Sequence, residues 1–361
     1  MALRRRNTMT DVSKYDTNLK IAESFGRDDI ELYDVRKAPF ELRGVFYEDG
    51  GFRRMPKSVA ERVSEGVAQL SKHTSGGRVF FSSDSQCIAL NCTRPGFWAM
   101  GHMARTGNGG FDLYERICGK WVYRDTFVPP SDPKGFSSIV DLKTTEKRDL
   151  MLHMPLYAPI SSLHIGVIKG SSLERCGAEY ARKKPIVFYG SSITQGGCAS
   201  TPGGDYAGRV SRRFDSDYVN LGFSGSGKAE IPMMEYIASL DMSCFVYDYD
   251  YNAPDTDYLR ATHYRGYRIV RDAHPDMPII MMSCPNYDRI GYDAPERRDI
   301  IAESYARALA DGDKNVYFVD GREHFATFNA DGCTVDGCHP NDLGFYRMAE
   351  AVGSVLEKIW E

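Results

Sequence analysis

No apolar run in the 361-residue sequence approaches the ~20 residues that a bilayer-spanning helix needs. The opening stretch, Met1 to Val12, carries a basic cluster with no apolar segment behind it, so it does not read as a secretory signal. A cytoplasmic protein without a membrane partner is the expectation. Positive charge is not in excess either: 45 Lys and Arg stand against 49 Asp and Glu, for a formal net charge of −4. A basic surface is the usual footprint of nucleic-acid binding, so no nucleic-acid partner is expected. The nine cysteines are odd in number and irregularly spaced, which fits reduced thiols better than a disulfide framework. Cys333 and Cys338, beside His339, come nearest to a metal motif, but no second Cys pair accompanies them. The eight histidines are scattered. No metal and no organic cofactor is therefore expected. Internal repeats and low-complexity tracts are also lacking.

What is present divides into two textures. The first half is rich in short β-prone runs, such as Gly77–Thr93, Lys120–Pro130 and Arg148–Ile168, separated by turn residues. Helical periodicity appears convincingly only over Ser58–Leu70. Many short strands with Gly, Pro, Asp and Asn turns predict a β-sandwich. The second half alternates. Five apolar runs, around Ile186, Tyr218, Phe245, Ile279 and Val316, are interleaved with helical patterns, the last of them from Asp342 to Glu361. That alternation predicts a parallel sheet with helices on both faces. The expected organisation is an N-terminal extension over 1–30, a β-sandwich accessory domain over 31–175 and an α/β domain over 183–361.

Ligands of an open α/β sheet bind beyond the carboxyl ends of its strands. The residues expected there are Gly190-Ser191-Ser192 after the first strand, Asn220 to Gly225 after the second, and Tyr249 to Asn252 after the third. The loop before the last helix adds Asp336 to Asn341. A serine hydroxyl needs a base to become a nucleophile. Histidine can be that base near neutral pH, and a carboxylate on its other nitrogen fixes the tautomer. Asp336 and His339 are three positions apart, so one turn can hold them together. Donors for an oxyanion are available in the backbone N–H groups of Ser192 and Gly225 and the side chain of Asn252.

These four blocks, "GSSIT", "NLGFSG", "YDYN" and "DGCHPND", occur in the order of the SGNH, or GDSL-type, hydrolases, and residues Ile186 to Glu361 resemble that family. The resemblance implies a flavodoxin-like three-layer α/β/α domain. It implies Ser192, His339 and Asp336 as a catalytic triad, and Ser192, Gly225 and Asn252 as the oxyanion hole. Ser191 stands where the name-giving motif has Asp, which puts in doubt the bracing role of that residue. The α/β-hydrolases share the triad order, but they need Gly-x-Ser-x-Gly, and Thr194 occupies the second Gly position. In the first half, Gly110-Phe111-Asp112-Leu113-Tyr114 resembles the Gly-x-Asp-Leu-Tyr signature of a jelly-roll-like β-sandwich that precedes some SGNH carbohydrate esterases.

Other assignments compete at several positions. Gly222 and Gly225 fit positive φ alone. Asn252 fits a turn before Ala-Pro, and Asn341 or Asp342 fits a helix cap. His324 reads as a loop or packing residue, and Cys198 as a thiol with nothing beside it to activate it. Phe97, Trp98, Phe111, Tyr114 and Trp121 suit either a sugar-stacking platform or an ordinary sandwich core. Asp112 and Tyr114 are candidates for substrate contact from the N-terminal domain. The expected function is a serine esterase acting on short O-acyl, chiefly O-acetyl, esters of an oligosaccharide or other acylated small molecule. An acyltransferase, a lipase or acylhydrolase for another ester, and a non-catalytic carbohydrate-binding protein are the alternatives; oligomeric state is left open. An imidazole base must be neutral, so kcat/KM is expected to fall on acidification.

Overall fold

Apolar and polar residues alternate along the strands of the first half, and a sandwich uses that period of two to fill one interior. In the computed structural model, which describes residues 25–96, 98–131, 134–285, 292–325 and 330–360, two antiparallel sheets face each other. One has four strands in the order Ile30–Asp34, Ser162–Ile168, Cys87–Thr93, Gly135–Asp141. The other has six, with Arg78–Ser83, Arg148–His153, Phe111–Ile117 and Lys120–Phe127 adjacent in that order. Val79, Phe81, Leu113, Leu150 and Leu152 from one sheet meet Ile88, Leu90, Leu163 and Ile165 from the other. Most of the expected 1–30 extension lies outside the described residues.

The second half is a parallel sheet of five strands: Arg182–Gly190, Ser216–Gly222, Cys244–Asp248, Ile279–Met282 and Val316–Val319. Their spatial order, 2-1-3-4-5, is the flavodoxin-like order, with the switch point beside the first strand. Because both faces are covered, the strands read as unbroken apolar runs. On one face Tyr189, Tyr247 and Met281 pack on helices Ile231–Ala238, Thr256–Ala273 and Ala294–Ala310. On the other, Phe188, Val246 and Ile280 pack on helices Tyr206–Phe214 and Asp342–Trp360. The fold class expected from sequence is the one found. Among the described residues no helix is long and apolar enough to cross a membrane.

The helical stretch of the first half differs from its expectation. It is two helices, Lys57–Val63 and Glu65–Leu70. Ser64 between them is extended, and its hydroxyl accepts from Val67 N at 3.2 Å, capping the second helix. Neither helix serves the sandwich core. Ala60 and Val67 pack instead on the α/β domain with Met233 and Leu221.

Candidate active site

The first parallel strand ends at Gly190, where a Cβ would sit 1.9 Å from the backbone oxygen of Asp248. With no side chain there, the strand runs close to its neighbour and turns at once into the one-turn helix Ser192–Gln195. Ser191 caps that turn: its Oγ accepts from Ile193 N at 3.1 Å. The position that holds Asp in the family motif thus keeps a capping acceptor, although it is Ser here. Ser192 is the first residue of the turn, so its own N–H has no intrahelical partner. Ser192 is 9% exposed.

Ser192 Oγ lies 2.9 Å from His339 Nε2, across 147 positions of sequence. The other ring nitrogen, Nδ1, lies 2.8 Å from Asp336 Oδ2. Asp336 Oδ1 accepts from the backbone N–H of His339 at 2.7 Å and of Cys338 at 3.0 Å. Burial alone would raise the Asp336 carboxyl, but the hydrogen bonds from His339 and Cys338 outweigh it and hold it below the ordinary carboxylate range. Two contacts hold this loop, one of them to the segment that follows the Ser192 turn. Cys198 N donates to Pro340 O at 3.0 Å. Asn341 caps the last helix, its Oδ1 accepting from Leu343 N and Gly344 N at 3.0 and 3.1 Å.

Gly225 has φ +66°, as the alternative assignment required, but Gly222 does not. Gly222 is needed for proximity: a Cβ there would lie 2.1 Å from Gln195 N. Asn252 sits on the short helical turn Asp250–Asn252, and its Oδ1 accepts from Gly227 N at 3.2 Å. Among the described residues, Ser192 N, Gly225 N and Asn252 Nδ2 donate to nothing. These three donors stand at three strand ends.

Sequence reasoning missed how much of the site comes from the N-terminal half. Tyr157 OH donates to Ser192 O at 3.0 Å. Gln195 ties the Ser192 turn to both neighbours, its Oε1 accepting from Ser224 N at 3.0 Å and its Nε2 donating to Leu156 O at 3.2 Å. Arg54, 2% exposed, donates to four backbone carbonyls: His73 at 2.9 Å, Leu70 at 2.8 Å, Asn220 at 3.1 Å and Gly222 at 2.7 Å. It pins the second parallel strand just before the Gly225 loop. No local motif marks a lone Arg for that role. Between the domains lies an apolar cleft of about 540 Å³ lined by Leu70, His73, Trp98, Met100, Tyr157 and Ser224. Of these only Ser224 belongs to the α/β domain.

Period-two alternation along Phe111–Ile117 sends Phe111 and Leu113 into the sandwich core and turns Asp112 and Tyr114 toward the α/β domain. Asp112 is fully buried; one oxygen accepts from Thr126 Oγ1 at 2.7 Å and the other from Gly203 N at 2.9 Å. Tyr114 lies under the Arg212 guanidinium, 4.6 Å from ring centroid to Cζ. These contacts join the sandwich to the α/β domain. Phe111 is sandwich core, while Tyr114 and Trp121 pack in a separate buried cluster with Phe80 and Met151. Trp98 alone is displayed, 82% exposed on the cleft, while Phe97 lies outside the described residues. Burial pushes the Cys198 thiol up to about 12, so it is not an activated nucleophile. His324 is buried, and among the described residues neither nitrogen has a hydrogen-bond partner.

Comparison with known proteins agrees with this two-part fold. Residues 183–357 match the GDSL-like lipase/acylhydrolase family, and residues 30–173 match the N-terminus (GxDLY) of SGNH-hydrolase-type esterases. No curated protein matches the sequence significantly. Among solved structures, a Bacteroides ovatus protein assigned as a GDSL-like lipase is 28% identical, with a TM-score of 0.82 over 91% of this chain and 98% of that one. The salicylyl-acyltransferase SsfX3 of a tetracycline biosynthetic pathway is 18% identical, with a TM-score of 0.76 over 92% and 98%. A family two carbohydrate esterase from Clostridium thermocellum, in complex with cellohexaose, is 15% identical, with a TM-score of 0.59 over 91% and 99%. The last two likenesses are of fold. The C-terminal half of this chain belongs to the GDSL-like lipase/acylhydrolase family, and it follows a GxDLY-type esterase N-terminal domain.

Proposed function

We propose that the protein is a serine esterase that removes short O-acyl groups, chiefly acetyl, from carbohydrate hydroxyls through an acyl-enzyme. The observation that carries this reading is the continuous chain Asp336–His339–Ser192, with contacts of 2.8 and 2.9 Å, beside three unused donors. Asp336 accepts from His339 Nδ1–H, which leaves the Nε2 lone pair facing Ser192. Ser192 Oγ attacks the ester carbonyl carbon while its proton passes to Nε2. The carbonyl oxygen becomes an oxyanion among Ser192 N–H, Gly225 N–H and Asn252 Nδ2–H. Collapse breaks the carbon–oxygen ester bond, and His339 returns the proton to the departing alcohol. Water then attacks acyl-Ser192 with His339 again as base, releasing the carboxylic acid and free serine.

The carbohydrate side rests on the exposed Trp98 beside a cleft of about 540 Å³, since sugar rings present apolar C–H faces to an indole. The carbohydrate esterases among the structural relatives favour the same substrate class. Purified protein should release acetate from acetylated oligosaccharides and from a small activated acetate ester. Ser192→Ala should abolish both activities. Absence of acetate release, or full activity in Ser192→Ala, overturns the reading. A second reading, acyl transfer to an alcohol, draws on the mostly apolar lining of that cleft, which disfavours water near the acyl-enzyme. Product analysis with a competing alcohol separates the two.

A further inference from the structure

The catalytic histidine has two further potential metal ligands beside it. Among the described residues, His102, Cys198 and His339 form the one group of three His, Cys or acidic side chains whose ligand atoms all lie within 4.8 Å of one another. They come from three separate segments. His102 belongs to the N-terminal loop that also carries Trp98 and Met100. Cys198 follows the nucleophile turn, and His339 precedes the last helix. The His102 and His339 rings are 5.4 Å apart between centroids and tilted by 57°. Cys198 is only 5% exposed, while His102 is exposed.

We infer that His102, Cys198 and His339 form an inhibitory site for zinc(II), occupied at the expense of catalysis. The inference rests on the assignment of His339 as the catalytic base. Two imidazoles and a thiolate are a donor set that zinc favours over magnesium or calcium. Tetrahedral zinc with ordinary bond lengths holds such donors roughly 3.3–3.6 Å apart. Separations of up to 4.8 Å must therefore close by at most about 1.5 Å, and His102, the exposed member, lies on a surface loop. His339 Nδ1 is committed to Asp336, so the lone pair offered to the ion is that of Nε2. That lone pair is the one that would otherwise accept the Ser192 proton. Coordination therefore removes the base from the reaction. The balance is simple: zinc binds two neutral imidazoles and the sulfur, Cys198 gives up its thiol proton to solvent, and no redox change occurs. Because its ligands must be deprotonated to bind, such a site is vacated by acid or by a chelator.

The test separates binding from turnover. Zinc chloride is titrated against a chromophoric chelator in the presence of chelator-treated wild-type protein, Ser192→Ala, His102→Ala and Cys198→Ser. Wild type and Ser192→Ala should each take up one equivalent. His102→Ala and Cys198→Ser should bind roughly tenfold more weakly or worse. In parallel, zinc should inhibit wild-type ester hydrolysis, excess chelator should restore it, and His102→Ala should need roughly tenfold more zinc while keeping its basal rate. His102 is exposed, so its variant reports on the site even where the buried Cys198→Ser fails to fold. Equal zinc affinity in His102→Ala and wild type, or no uptake by Ser192→Ala, overturns the inference. Uptake of one equivalent by a protein with no esterase activity keeps the metal site and instead refutes the catalytic reading.

Discussion

Replacing Asn252 by Asp tests the oxyanion assignment with little collateral change. The side chain keeps its shape and keeps an oxygen for Gly227 N–H, which it now accepts at 3.2 Å. What it loses is Nδ2, the donor that no described group uses. In the proposed reaction that donor is one of three at the oxyanion, and loss of one such donor costs about 3–4 kcal/mol of barrier. The expected fall in kcat is therefore roughly a hundred- to a thousandfold. A carboxylate oxygen placed against the developing negative charge adds repulsion and takes the loss toward the upper end. The ground-state ester carbonyl gains little from the same donor, so KM should move far less than kcat. The assay is steady-state hydrolysis of an activated acetate ester, with thermal unfolding of the same preparation as a check that the Gly227 contact survives. A kcat within about threefold of wild type, in a variant that unfolds at the wild-type temperature, would refute Asn252 as an oxyanion donor.

Three further outcomes follow from the same geometry. Trp98→Ala should raise KM for an acetylated oligosaccharide roughly five- to thirtyfold, about 1–2 kcal/mol of lost apolar contact, and leave hydrolysis of a small activated ester unchanged; equal effects on both substrates would exclude a sugar platform. Arg54→Met strands four buried carbonyls and should destabilise the protein by about 3 kcal/mol or more, read as a lower midpoint in urea; an unchanged midpoint contradicts the pinning role. His263 is buried against the stacked rings of Tyr247 and Tyr249, and among the described residues both its nitrogens are unpartnered. Burial lowers its pKa from 6.5 to about 3. Between those values the unfolded chain binds a proton that the folded one refuses, so stability is full above pH 6.5 and is lost on acidification. His263→Phe should stabilise the protein by about 1 kcal/mol at neutral pH, a gain that widens by up to ~1.4 kcal/mol per pH unit toward pH 5. Unfolding midpoints at pH 7 and pH 5 check this, and an equal shift at both speaks against it.

The α/β half was legible because its strands are buried on both faces and its helices on one, so each wrote its own period into the sequence. All five apolar runs became strands of the parallel sheet. The Ser, Gly, Asn and Asp/His blocks were legible because each sits on a strand end or loop where local spacing fixes its place. What could not be read is the joint between the halves. Whether Tyr114 faces a substrate or Arg212 depends on how two domains meet, and no periodicity within one strand encodes that. The same holds for Arg54, whose four acceptors come from two distant segments. His102 and Cys198 looked solitary because the fold, not the spacing, brings them to His339. Ser64 interrupts an otherwise helical pattern because Ser serves a cap better than a helix interior.

Mass-spectrometric mapping of the adduct formed with a serine-directed phosphonate tests the central claim most directly. A single adduct on Ser192, absent in Ser192→Ala and strongly slowed in a folded His339→Ala variant, is the predicted result. A folded protein that hydrolyses esters while Ser192 remains unlabelled would contradict the account.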